Sequence, residues 1–426
     1  MVSVEVKRSH ISGSVTCPPS KSYTHRAIAI ASLAVGESTV TNPLLARDTI
    51  ATINACKILG SDLRQNDSVI MISGKNEFSP SDREINAENS GTTIRIATAM
   101  SALVRSGKTT LTGDESLRKR PMQPLLDALK QLGVECHSLV NGTPPVVVRG
   151  GGIKGGYAKI IGDVSSQFIS ALLISCIYAN KDVEIEVKSE QVSKPYIDAT
   201  LATMEKFGAK VDNNYYTNYH VKHQKYRPTT FAVPSDFSSA AMMLAAGAVA
   251  GEITVQGLNF ELPQADAKIV DILHDMGASV KLDKSAGTVS VTAPERLEGD
   301  TFNLNNTPDL LPVVSVLALK AKGKVTIKGV AHTRVKETDR IANIADELQK
   351  LGAEIEEFED GLSIKVSERL KNVKLDAYND HRLFMAFCIA SLLTEKCVVD
   401  GLESVDVSYP NFVDDFRKVG ANIRKV

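Results

Sequence analysis

The stretch Lys350-Leu-Gly-Ala-Glu-Ile355 ends an amphipathic run on a glycine and opens a short apolar–polar alternation. A helix that stops on a left-handed glycine and passes into a strand has this form. The same exit recurs at Ile58–Gly60, Gln131–Gly133, Lys206–Gly208, Asp275–Gly277 and Lys418–Gly420. Successive glycines lie 73, 75, 69, 75 and 68 residues apart. A second marker keeps the period out of phase with the first. It is a turn and a β-rich run: GESTVTN from Gly36, GKTTLTG from Gly107, KDVEIEV from Lys181, GEITVQG from Gly251, GKVTIKG from Gly323 and KCVVDG from Lys396. Small-residue apolar helices precede it, as at Ala27–Ala34, Ile94–Val104 and Met242–Val249. Common solenoid repeats run about 20–50 residues, shorter than this spacing. The chain therefore reads as a small α/β module of two helices and several short strands, used six times, in two lobes of three.

The repeats break at 215–234 (YYTNYHVKHQKYRPTTFAVP), a polar, tyrosine-rich segment between the third and fourth units. A second crossing is expected at Ile11–Pro19. A chain that starts in one lobe, builds the other and returns gives residues 1–14 plus 230–426 as lobe I and 15–229 as lobe II. The active site is expected in the cleft between them.

Of the 426 residues 43% are hydrophobic and 23% charged, enough to bury two or three cores without disulfides or structural metal. Lys+Arg is 49 against Asp+Glu 50, a balance that argues against a general nucleic-acid binder. No apolar run is long enough to cross a bilayer, and the N-terminus lacks a signal-peptide core. The six cysteines form no CxxC pair and have no histidine at metal-ligand spacing. A soluble, cytoplasmic protein with reduced thiols and no structural zinc is expected.

Any anion chemistry must come from local clusters, and the helix starts supply them. The apolar helices begin at Ser20-Lys-Ser-Tyr-Thr-His-Arg26, Asn89-Ser-Gly-Thr-Thr-Ile-Arg95, Ser165-Ser-Gln-Phe168, Asp236-Phe-Ser-Ser239, Pro308-Asp-Leu-Leu311 and Asn379-Asp-His-Arg382. The second set begins at Arg47-Asp48, Lys119-Arg-Pro121, Ser193-Lys-Pro-Tyr196 and Arg334-Val-Lys-Glu-Thr-Asp-Arg340, with Pro121 and Pro195 at first-turn positions. Capping alone explains the Ser, Asn and Asp residues. It does not explain cations, which oppose the helix dipole unless an anion offsets them. A solvated first turn at Lys336–Arg340 is weakened because the two cations repel at that spacing. Convergent helix starts would form an anion site from Lys21, Arg26, Arg120, Lys336, Arg340 and Arg382. Asp48, Asp309, Glu337 and Asp380 lie at the same starts. Such carboxylates serve either as salt-bridge partners or as a general acid and base.

Seven motifs then fall together: PSKSYTHR (Pro19–Arg26), NSGTTIR (Asn89–Arg95), LTGDESLRKRP (Leu111–Pro121), SSQF (Ser165–Phe168), SKPY (Ser193–Tyr196), RVKETDR (Arg334–Arg340) and NDHR (Asn379–Arg382). Over nearly its whole length the chain resembles the EPSP synthase (3-phosphoshikimate 1-carboxyvinyltransferase) family of enolpyruvyl transferases. The resemblance implies two lobes, each of three βαβαββ repeats around a pseudo-threefold axis. It implies transfer of the enolpyruvyl group of phosphoenolpyruvate to the 5-hydroxyl of shikimate 3-phosphate, with release of phosphate and without metal or cofactor. It assigns Lys21, Ser22, Arg26, Ser165, Ser166, Gln167, Ser193, Tyr196, Asp309 and Lys336 to shikimate 3-phosphate. It assigns Lys21, Asn89, Gly91, Arg120, Gln167, Arg340 and Arg382 to phosphoenolpyruvate. Asp309 would handle the hydroxyl proton and Glu337 would protonate the methylene carbon, with Lys336 and Lys21 assisting. The expected partners are these two small molecules alone, acting on a monomer, with no nucleic acid or membrane. Two positions depart from the pattern: Val407 stands where many members carry Lys, and His332 where some carry Asn. The related nucleotide-sugar enolpyruvyl transferases are the nearest rival. Their loop position here carries Asp114 and no cysteine, and Lys21-Ser22 replaces their Lys-Asn pair. A non-catalytic anion-binding paralogue is the other alternative, and it would need neither Asp309 nor Glu337.

Overall fold

The computed structural model describes residues 2–66, 68–75, 78, 82 and 84–426. Its helices are α1 (Lys21–Leu33), α2 (Arg47–Leu59), α3 (Gly91–Ser101), α4 (Gln123–Gln131), α5 (Ser166–Cys176), α6 (Lys194–Lys206), α7 (Phe237–Ala250), α8 (Ile269–Asp275), α9 (Leu311–Leu317), α10 (Arg340–Lys350), α11 (His381–Ser391) and α12 (Phe412–Lys418). Among the described residues no helix is long and apolar enough to cross a membrane.

The repeat unit is plainest at 84–149. Strand Glu84–Asn86 leads through α3 to Lys108–Thr112, then through α4 to the hairpin of Cys136–Val140 and Thr143–Arg149. The first two strands pair in parallel (Glu84 opposite Thr110), as a helical crossover requires. Lys108–Thr112 pairs antiparallel with Thr143–Arg149, which pairs antiparallel with Cys136–Val140. This is a βαβαββ unit with its second strand inside the sheet. The same order recurs at 156–221 and 301–365. The other three four-stranded sheets borrow a strand from far along the chain. Thr230–Ala232 pairs in parallel with Gly36–Thr41, and Ser14–Thr16 with Glu252–Gln256. Ser3–Lys7 lies antiparallel between Lys396–Asp400 and Asn422–Lys425.

Local chemistry fixes both ends of the units. All six exit glycines adopt left-handed φ, from +80° at Gly208 to +114° at Gly60. Five of the apolar helices start on a side chain that accepts from its own first turn: Ser20 from Tyr23 N, Ser90 from Thr93 N, Ser165 from Gln167 N, Asp236 from Ser239 N, and Asp380 from Arg382 N and Leu383 N. Each such cap contributes about 1 kcal/mol. These helices are buried on almost every face, and α7 (FSSAAMMLAAGAVA) carries no charge after its cap. A helix that is apolar all round belongs in a core.

By contact density the chain divides into two compact units, residues 1–18 with 235–426, and residues 19–234. The divisions fall a few residues beyond the 14/15 and 229/230 boundaries expected from sequence. In the first unit α7, α9 and α11 pack on one another. In the second, α1 packs on α2 and α6, α3 on α2 and α5, and α5 on α6. Two helix starts differ from expectation. Pro121 precedes α4, whose first turn holds Pro124 instead. Lys336 through Asp339 also precede α10, because a 3-10 turn at Ala331–Val335 takes up the chain first.

Candidate active site

In the 19–234 unit, the starts of α1, α2 and α3 are tied together. The Lys21 ammonium lies 3.2 Å from Asp48 Oδ2. The Asp48 carbonyl accepts from Thr93 Oγ1 at 3.3 Å, and the same hydroxyl donates to Ser90 Oγ at 2.8 Å. Arg26 joins α1 to α6. Its Nε donates to Thr200 Oγ1 (2.8 Å), Nη1 to the Ser22 carbonyl (2.9 Å) and Nη2 to the Tyr196 carbonyl (2.8 Å). Arg26 is 3% exposed, and among the described residues no carboxylate pairs with it. Burial lowers its pKa to about 10, so it stays charged at neutral pH. A buried cation held only by neutral oxygens keeps its charge available to an anion. Beside it Ser193 precedes α6 at φ +56°, and its hydroxyl does not cap the helix. A left-handed non-glycine residue costs about 1–3 kcal/mol and is held there by its surroundings.

A second cluster gathers where α3, α5 and the loop before α4 meet. Asn89 Nδ2 donates to Asp114 Oδ2 at 2.7 Å, and Asn89 Oδ1 accepts from Arg120 Nη2 at 2.7 Å. Asp114 also accepts from Leu117 N, so this carboxylate orients its loop and Asn89. Arg120 is 6% exposed, and its Nε has no hydrogen-bond partner among the described residues. Gln167 accepts from Arg95 Nη1 and donates to Thr92 Oγ1 at 3.1 Å. Arg95 lies 5.0 Å over the Phe168 ring. Gly91 opens α3 in the middle of this group. A Cβ there would stand 3.1 Å from a guanidinium nitrogen of both Arg120 and Arg95, so a larger residue would require those side chains to shift by a few tenths of an ångström. Ser165 caps α5 and Ser166 is buried at its first position.

In the unit formed by 1–18 and 235–426, five predicted residues meet in one ion network. Asp309 sits on the 3-10 turn Pro308–Leu310. Its Oδ1 is 2.8 Å from Arg340 Nη1 and 3.6 Å from Lys336 Nζ, and its Oδ2 is 2.9 Å from Arg382 Nη2. Arg340 also holds Glu337 Oε2 at 2.9 Å and Asp380 Oδ2 at 2.7 Å. Burial opposes the Arg340 charge, but Asp380, Glu337 and Asp309 together outweigh it and raise its pKa well above the ordinary value. Breaking such a buried pair by removing one partner costs about 3–5 kcal/mol. Lys336 moves the other way: burial lowers its pKa against the pull of Asp309. His332 is buried nearby and drops to about 3 through burial and Lys336, so its imidazole is neutral at neutral pH. Val407 is also buried, at 2% exposure, and supplies no cation.

Asp380, one of the carboxylates expected at a helix start, acts here as a salt-bridge partner, whereas Asp266 was not expected. Asp380 both caps α11 and pairs with Arg340. Asp266, on the 3-10 turn Ala265–Lys268 before α8, lies in the electrostatic field of Asp309 and Arg382. Reading four of the six second-set helix starts leaves out α8. Aligning the modules would have set Asp266 against Asp48, since each opens the second helix of its unit.

Residues 6–416 match the EPSP synthase (3-phosphoshikimate 1-carboxyvinyltransferase) family. The chain is 48% identical over 422 residues to the 3-phosphoshikimate 1-carboxyvinyltransferase of Nitrosopumilus maritimus, covering 99% of each chain. It is 43% identical over 423 residues to that of Methanocaldococcus jannaschii, covering 98% of each. A solved EPSP synthase from Acinetobacter baumannii superposes with a TM-score of 0.82 at 25% identity, over the full length of both chains.

Proposed function

The chain belongs to the EPSP synthase family, and from that premise we propose how its residues carry out the reaction. The enzyme transfers the enolpyruvyl group of phosphoenolpyruvate to the 5-hydroxyl of shikimate 3-phosphate, a step of aromatic amino acid biosynthesis. The observation that best supports the residue roles is Arg340 holding Asp309 and Glu337 at 2.8 and 2.9 Å. One guanidinium orients two carboxylates of opposite duty. Asp309 takes the proton of the 5-hydroxyl while its oxygen bonds to C2 of phosphoenolpyruvate, and Glu337 delivers a proton to C3. The tetrahedral adduct carries a methyl group, a carboxylate and a phosphate on C2. Return of a methyl proton to the Glu337 carboxylate, with cleavage of the C2–O bond, restores the double bond, and the departing phosphate takes up the proton held by Asp309.

In this reading Arg26, with Lys21, Ser22, Ser165, Ser166, Ser193 and Tyr196, grips shikimate 3-phosphate. Arg120, Asn89, Gly91, Arg340 and Arg382 receive phosphoenolpyruvate, with Gln167 and Lys21 reaching both. Guanidinium groups suit phosphate and carboxylate because they donate two parallel hydrogen bonds. We propose that the enzyme acts as a monomer in the cytoplasm; its six buried, free cysteines suit a reducing compartment. A phosphate-release assay with each substrate omitted in turn tests the reaction. Release that needs both substrates is expected; release from phosphoenolpyruvate alone would overturn the assignment.

A further inference from the structure

We propose that Asp266 is a positioning residue for this reaction, working as a neutral carboxylic acid that leaves Arg382 to Asp309 and to the incoming anion. The inference rests on the enolpyruvyl-transfer reading and deepens it. Asp266 is 2% exposed, and its segment is clamped to the start of α7. Gln264 Oε1 accepts from Phe237 N at 3.0 Å, and Gln264 Nε2 donates to the Ser235 carbonyl at 2.9 Å. Ser238 Oγ donates to Asp266 Oδ2 at 2.5 Å. Asp266 Oδ1 is buried and has no hydrogen-bond partner among the described residues. An ionised carboxylate with one bare buried oxygen is costly, whereas a carboxylic acid carries no charge to solvate.

The groups facing it point the same way. Asp309 on the 3-10 turn before α9 and Asp236 at the cap of α7 both disfavour a further negative charge. Arg382 on α11 favours one, but its Nη2 already lies 2.9 Å from Asp309. On the segment of Asp266 itself, the Lys268 ammonium is drawn to Asp271 at 3.0 Å on the exposed side. Burial first, then Asp309, raise the Asp266 pKa far above the ordinary carboxylate range. Charge balance shows what this achieves. Lys336, Arg340 and Arg382 face Asp309, Glu337 and Asp380. With Glu337 protonated to act as the acid, that cluster carries one surplus positive charge, which an ionised Asp266 would cancel. That cluster must receive a substrate bearing both phosphate and carboxylate.

The test is the pH dependence of kcat/KM for phosphoenolpyruvate, measured by phosphate release at saturating shikimate 3-phosphate. In the wild-type enzyme kcat/KM should fall about tenfold per pH unit once Asp266 ionises. In Asp266→Asn, which cannot ionise, that alkaline limb should vanish. In Ser238→Ala, which loses a donor favouring the ionised form, the limb should move to higher pH. A wild-type limb persisting in Asp266→Asn would overturn the proposal, as would folded Asp266→Asn protein inactive at every pH. If Asp266→Asn does not fold, an unmoved limb in Ser238→Ala overturns it instead. Wild-type protein that releases no phosphate at any pH would sink the underlying reaction, a result distinct from an unaltered limb.

Discussion

Arg26 and Arg340 are both buried guanidiniums, and their surroundings separate their duties. Arg26 meets three neutral oxygens, while Arg340 meets three carboxylates. In the proposed mechanism the first keeps its charge for a ligand, while the second orients two acids as well as receiving phosphoenolpyruvate. Glu337→Gln keeps an oxygen for Arg340 but cannot give up a proton. Its turnover should fall by about 10²–10⁴, with shikimate 3-phosphate affinity by calorimetry unchanged; an equal loss of affinity would mean a binding role. Asp266 adds a stability effect with a definite sign. Its native pKa is raised, so between about 3.9 and that raised value the native state holds a proton the unfolded chain has lost. Its contribution is therefore full below that window and declines as pH rises through it. Urea midpoints should show Asp266→Asn gaining on the wild type from about pH 4 to about pH 7; a constant difference would contradict this. Cations such as Lys21 could be read from sequence because they sit at helix starts against the dipole. Asp266 could be matched to Asp48 only by aligning the modules, and its electrostatic setting with Asp309 and Arg382 comes from the tertiary fold.

The elements were most readable where their chemistry is local. An exit glycine and the strand after it need only neighbouring residues, and all six exits fold as the sequence suggests. Helix starts were less readable where a 3-10 turn intervenes, as before α8, α9 and α10, because such turns carry no amphipathic period. Two exit glycines separate backbone conformation from crowding. A Cβ at Gly352 (φ +100°) would find its nearest atom, Lys371 Cε, at 3.7 Å, so its alanine variant pays for the left-handed backbone alone. At Gly420 (φ +104°) a Cβ would also stand 2.5 Å from the His10 carbonyl oxygen. Gly352→Ala should cost about 1–2 kcal/mol in chemical denaturation and Gly420→Ala more. Equal costs would mean that the close approach at His10 is relieved without penalty.

At the scale of the molecule, the period of about 70 residues announces six modules because three are built wholly from contiguous chain and the other three from contiguous chain in all but one strand. The exchanged strands are harder to see. Ser3–Lys7 pairs with Lys396–Asp400 and Asn422–Lys425, and no local pattern names a partner so distant. The proposed chemistry likewise draws on both units: phosphate-gripping cations such as Arg26 and Arg120 from one, the proton-transferring pair Asp309 and Glu337 from the other. What unites them is a protonated intermediate that forms only when both substrates are bound. Turnover in deuterium oxide, followed by mass spectrometry of the enolpyruvyl product, measures that step directly. Protonation at C3 predicts deuterium on the product's methylene carbon, whereas product formed without deuterium would mean that phosphate is displaced with no such intermediate.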